Sequence, residues 1–165
     1  MVHIYNGILL SHKKEQNVMI EIENIPLEDW LKPLKPYQRN FIEQLVAIYG
    51  EEKAAEEWIN ARGPMQTVTF GGVTEDANNK KNYWNRFRNE FDKLICGHTD
   101  YQDEHDKFVA AGKPIGLGAV AYIADWIAPA VGMSTAILIP AIALILNTTA
   151  KMGVKAYCAT KQFNG

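Results

Sequence analysis

PIGLGAVAYIADWIAPAVGMSTAILIPAIALILNTTA, residues 114–150, runs thirty-seven residues with one formal charge, Asp125, and lies between Lys113 and Lys151. A run this poor in charge has no water-facing surface of its own, so it is either the buried core of a helical fold or a segment that enters lipid. Gly132 followed by Ser134, a good N-cap residue, divides it into two helices, Ile115 to Val131 and Thr135 to about Cys158.

The two helices are unlike. On the first, Leu117, Val120, Ile123, Ala124, Ile127 and Val131 share one face, while Gly118, Ala121, Tyr122, Asp125, Pro129 and Gly132 form a small or polar stripe. Small residues let a neighbouring helix approach closely, so the stripe reads as a helix contact with a partner for Asp125. The second has no polar face between Ala136 and Leu146, the pattern of a helix central in a core or in a membrane. The candidate membrane or interface residues are therefore Gly118, Tyr122, Asp125, Ile137, Leu138, Ile142, Ile145 and Leu146.

Magnitudes narrow the choice. Six Ile, Leu and Val residues in the first helix favour insertion by about 2 to 4 kcal/mol together, against about 3 kcal/mol for a central Asp, so alone it barely inserts. The second has seven such residues and no charge from Ile137 to Leu146. Its stretch from Thr135 to Lys151 reaches only about 26 Å, against a hydrocarbon core of about 30 Å. Lys107 and Lys113 precede the run and Lys151, Lys155 and Lys161 follow it, so the positive-inside rule puts both ends in the cytoplasm and favours a hairpin over a single span.

Outward from this run, the chain has 165 residues, a net charge of -2 and 22% charged residues, the composition of one compact domain. Cys96 and Cys158 are the only cysteines and stand far apart with no CxxC pair, which argues against a disulfide framework and a zinc ribbon. The N-terminal MVHIYNGILLSHKK has no basic region leading into a long apolar core, so no signal peptide is read and a cytoplasmic location is expected.

Before the run, Val2–Tyr5 and Ile8–Leu10 around Asn6-Gly7 read as a β-hairpin, and Val18 to Glu23 alternates as a third strand. Residues 2–16, HIYNGILLSHKKEQ included, resemble a segment of the reverse-transcriptase reading frame of mammalian long interspersed retrotransposons. The match covers under a tenth of the chain and includes no catalytic residue, so no function is carried over from it. Pro26, Pro33 and Pro36 mark a linker. Helices follow from Pro36 to Gly50, with Tyr37, Phe41, Leu45, Ile48 and Tyr49 on one face, and from Glu51 to Arg62. After the irregular stretch 63–81, in which Thr67, Thr69 and Phe70 form a candidate edge strand, a helix spans Asn82 to Cys96 with Trp84, Phe87, Phe91, Leu94 and Ile95 inward.

Arg86, Arg88 and Lys93 lie on the polar side of that helix, but the chain is slightly acidic and lacks a basic footprint, so nucleic acid is not an expected partner. Cys96, His98 and His105 carry zinc-ligand chemistry, yet helix capping around Thr99 and Asp100 accounts for most of the polar residues near them. No catalytic residue, metal or cofactor is assigned.

The expected architecture is mainly α: a helical bundle of about six helices with a small N-terminal β-hairpin element and a C-terminal hydrophobic helical hairpin. It divides as a β element or arm (1–25), a helical region (26–112) and the hydrophobic hairpin with its tail (113–165), forming one folded unit. The leading functional expectation is a non-enzymatic protein whose hairpin associates with or enters the inner face of a membrane, as an oligomeric effector or anchor. The alternative is a soluble bundle in which the hairpin is core and subunit or partner interface. A metal-dependent enzyme built on Cys96, His98 and His105 is the third.

Overall fold

The computed structural model describes residues 19–62 and 77–163. The expected hairpin at 2–10 and edge strand at 67–70 lie outside these residues. The fold is mainly helical, and in chain order its α-helices are α1 (Leu27–Leu31), α2 (Pro36–Tyr49), α3 (Glu51–Arg62), α4 (Ala77–Cys96), α5 (Gln102–Ala111), α6 (Val120–Val131), α7 (Thr135–Met152) and α8 (Val154–Ala159).

Helix α7 is the axis of the bundle. Leu138, Ala141, Ile142, Leu144 and Leu146 are wholly removed from solvent, and α1, α3, α6 and α8 pack round them. Ala54 and Ala55 on α3, both fully buried, let that helix lie close against α7, and Trp58 completes the contact by donating its indole N–H to the Ile137 carbonyl at 2.7 Å. Helix α6 covers another side with Val120, Ile123, Ala124, Ile127 and Val131. Helix α4 closes the far side through Phe87, Phe91, Leu94 and Ile95, all at 0% exposure.

Polar ties fix the C-terminal end of α7. The Glu51 carboxylate at the start of α3 accepts from Asn147 Nδ2 (2.8 Å), Thr148 Oγ1 (3.0 Å) and Lys151 Nζ (2.7 Å). Asn147 is fully buried, so this bond offsets the cost of taking its Nδ2 donor out of water. Beyond α7, Tyr157 donates to Asp92 and accepts from Arg88 Nη2 at 3.0 Å, while Arg88 Nη1 reaches Glu52 at 2.6 Å and Lys161 reaches Asp92 at 3.4 Å. One network thus links α3, α4, α8 and the tail.

Several sequence expectations are corrected. The proline-marked linker contains α1, whose Trp30 and Leu31 are each 1% exposed; Pro26 is its N-cap and Pro33 lies beyond its end, so neither interrupts it. The helix expected from Thr135 to Cys158 breaks at Gly153, where φ is +91°, a conformation that glycine adopts without a Cβ clash. Ile115 is extended, residues Leu117–Ala119 form a 3₁₀ turn, and α-helix begins only at Val120. Helix α4 starts at Ala77 rather than Asn82. Of the strand expected at Val18–Glu23, the described residues 19–23 form one parallel bridge, between Ile22 and Ile115.

The cysteines are also corrected. Cys96 and Cys158 form a disulfide with Cα atoms 5.5 Å apart, within the range that the bond requires. They are 62 positions apart in sequence, but α8 packs on α4 and brings the two helix ends side by side.

Candidate interaction surface

The eight residues singled out from the sequence divide into two environments. Leu138, Ile142, Ile145 and Leu146 are at 0–1% exposure inside the bundle, and Ile137 is half-buried beside Trp58. Gly118, Tyr122 and Asp125 face outward with Ala121 and Pro129, so the small-residue stripe of α6 is a solvent-facing surface of this molecule. The two faces of α6 fall where the helical period places them, one buried and one exposed.

The outward face is more than a stripe of small residues. Tyr122, 62% exposed, lies one turn before Trp126, with ring centroids 6.2 Å apart. Trp126 meets Phe108 of α5 edge-to-face at 5.3 Å, and the Lys107 ammonium stands 5.7 Å over the same indole. Asp125 accepts from Thr135 Oγ1 at 3.1 Å, joining the face to the first turn of α7. An exposed tyrosine next to a tryptophan, ringed by a lysine and an aspartate, has the composition of a recognition patch: rigid aromatic area at the centre and charge at the rim. Trp126 follows Tyr122 by four positions, a spacing that the sequence exposes. Phe108 and Lys107 come from another helix, so only the tertiary packing brings them in.

The other candidate residues are occupied elsewhere. Cys96 is in the disulfide, His98 Nδ1 accepts the Asp100 backbone N–H at 3.0 Å, and His105 is buried with its ring against Gly97. Among the described residues, no group of three His, Cys, Asp or Glu side chains is placed to hold a metal ion. Arg88 and Lys93 are paired with Glu52 and with Asp100 and Glu90, so these two cations belong to the protein's own ion pairs.

Burial holds the His105 imidazole below its ordinary value of 6.5, with Asp106 opposing the shift. The Tyr157 hydroxyl is pushed well above the usual phenol range, first by burial, with Arg88 opposing and Asp92 adding to the shift. Both groups therefore stay neutral at physiological pH, as structural residues. Comparison of the chain with family models, with curated proteins and with solved structures finds no match.

Proposed function

We propose that this chain is a soluble, non-catalytic binding protein whose apolar helix α7 is its core and whose α6 face, centred on Tyr122 and Trp126, meets a second copy of the chain or a protein partner. The observation that carries the reading is the contrast between neighbouring helices: Ile142 and Leu146 are at 0% exposure, whereas Tyr122 is 62% exposed beside a half-buried tryptophan. The apolarity of α7 is accounted for by its neighbours, while on α6 the Tyr122 ring stays 62% exposed although Phe108 and Lys107 cover part of Trp126. The Cys96–Cys158 bond suits an oxidising compartment better than the cytosol, where glutathione keeps thiols reduced.

Sedimentation tests the reading through self-association. The wild-type chain is expected to form a dimer or larger species that Tyr122→Glu shifts toward monomer without changing the thermal midpoint. A wild-type chain that is monomeric throughout, and whose Tyr122→Glu variant sediments alike, removes the second copy and leaves only a foreign partner for that face.

Insertion of the α6–α7 hairpin in a membrane is the second reading. It is favoured by one observation: α7, Thr135–Met152, is long and apolar enough to cross a bilayer. It requires α7 to leave its partners in the bundle. Flotation with vesicles of equal phosphatidylglycerol and phosphatidylcholine discriminates, since the soluble binding protein stays at the bottom of the gradient and a hairpin that inserts rises with the lipid.

A further inference from the structure

An extended segment carries two rows of backbone hydrogen-bonding groups, and among the described residues Met19–Glu23 pairs through one of them. The Glu23 N–H donates to the Ile115 carbonyl at 2.8 Å and the Ile115 N–H donates to the Glu21 carbonyl at 2.7 Å. This parallel pairing turns residues 21 and 23 toward Ile115, so Ile20 and Ile22 direct their N–H and C=O groups to the opposite side. No backbone partner meets those groups among the described residues. The segment is nonetheless fixed in place, because the Ile20 and Ile22 side chains are anchored in the core at 4% and 9% exposure while Glu21 and Glu23 are exposed.

Cavities flank both sides. Toward Ile115 lies a space of about 240 Å³ lined by residues 19–21 with Phe108, Val109, Gly112 and Lys113–Pro114. On the other side, which the free row faces, is a groove of about 630 Å³ between residues 19–22 and the α7–α8 junction, where Ala150, Gly153, Val154 and Lys155 form the far wall. A methyl group added at Gly153 would meet nothing within 4 Å, so the junction leaves the groove open.

We propose that this groove takes an extended segment of a partner protein, added as a second strand along Ile20–Ile22. Free N–H and C=O groups repeating every second residue are complementary to another extended backbone, and the volume lies in the range of ligand sites. A wall of four residues spans about 13 Å, so three to five residues of the partner engage it. The side chains facing the core meet Ile20, Ile22 and Val154 and are small or β-branched. Those facing solvent lie beside Glu21 and are basic, since opposite charges across a strand pair attract; the Glu23 carboxylate leans the other way, against Gly116. The surface shares no residue with the Tyr122 face, so either reading can fail without the other.

The test uses the blocked peptide Lys-Val-Lys-Val-Lys and amide-resolved NMR of the full chain. Binding is expected to shift the Ile20 and Ile22 amide resonances and to slow their hydrogen exchange at least tenfold, leaving the already bonded Glu23 and Ile115 amides unchanged. N-methylation of the alternate peptide nitrogens that face the strand should weaken binding about fivefold per bond, and methylation of the other set should not. Glu21→Lys should reverse the preference toward Glu-Val-Glu-Val-Glu by up to about fivefold. No response at Ile20 and Ile22 with millimolar peptide, equal loss from both methylation patterns, or shifts confined to another surface would overturn the proposal.

Discussion

His105 shows how a polar residue with ligand chemistry serves the fold instead. It sits on α5 at 8% exposure with its Nε2 3.3 Å from the point where a side chain at Gly97 would begin. Burial lowers its proton affinity in the folded chain, while the unfolded chain keeps the ordinary value of 6.5. Above that value both states are neutral and the group leaves stability unaffected by pH. As pH falls below it, the unfolded state takes up the proton first, so stability declines until the folded-state value is passed. Chemical denaturation at pH 7.5 and 5.5 should show the wild type losing stability between the two, and His105→Gln losing less. An unchanged difference in the variant would assign the loss to other groups. Asp92 is placed by the same logic: a carboxylate at 7% exposure is tolerated because Tyr157 donates to it and Lys161 lies 3.4 Å away.

At the scale of elements, α6 and α7 carry the contrast on which function turns, and paired truncations measure it. Ile142→Ala removes a fully buried side chain from the centre of α7 and should destabilise the chain by about 2 to 5 kcal/mol, read from the denaturant midpoint. Tyr122→Ala on the outward face of α6 should cost under about 0.5 kcal/mol by the same measurement. Comparable losses would mean that the Tyr122 face is covered within the folded molecule. The split of α6 into two faces was legible in the sequence because a 3.6-residue period separates Ile123 and Ile127 from Tyr122 and Asp125 without tertiary information. Helix α1 was not, since three nearby prolines outweigh a five-residue helix whose formation depends on burying Trp30 and Leu31. The end of α7 was missed because a lone glycine such as Gly153 marks a helix end only when its φ is known. The contact of Phe108 with Trp126 arises from packing between helices and leaves no periodic trace.

For the whole molecule, the Cys96–Cys158 bond ties the end of α4 to the end of α8 and encloses α5, α6 and α7 within a loop of 62 positions. Spacing along the chain argues against a disulfide framework, because sequence distance says nothing about which helix ends the bundle brings together. Loop closure of this length lowers the entropy of the unfolded chain by an amount worth about 4 kcal/mol at 25 °C. That is a large share of the roughly 5 to 15 kcal/mol that holds an ordinary domain folded. Reduction should therefore lower the thermal midpoint by about 8 to 16 °C for a chain of this size. The double variant Cys96→Ser/Cys158→Ser should show the same midpoint with and without reductant. Alkylation of thiols in freshly lysed cells, followed by mass measurement, then reads the compartment. A mass without added alkyl groups means that the bond forms where the chain resides and that the missing stability is present there. Two alkyl groups mean that the bundle operates without the link, with α8 held on α4 by the network of Arg88, Asp92 and Tyr157 and by the edge-to-face contact of Tyr157 with Phe91.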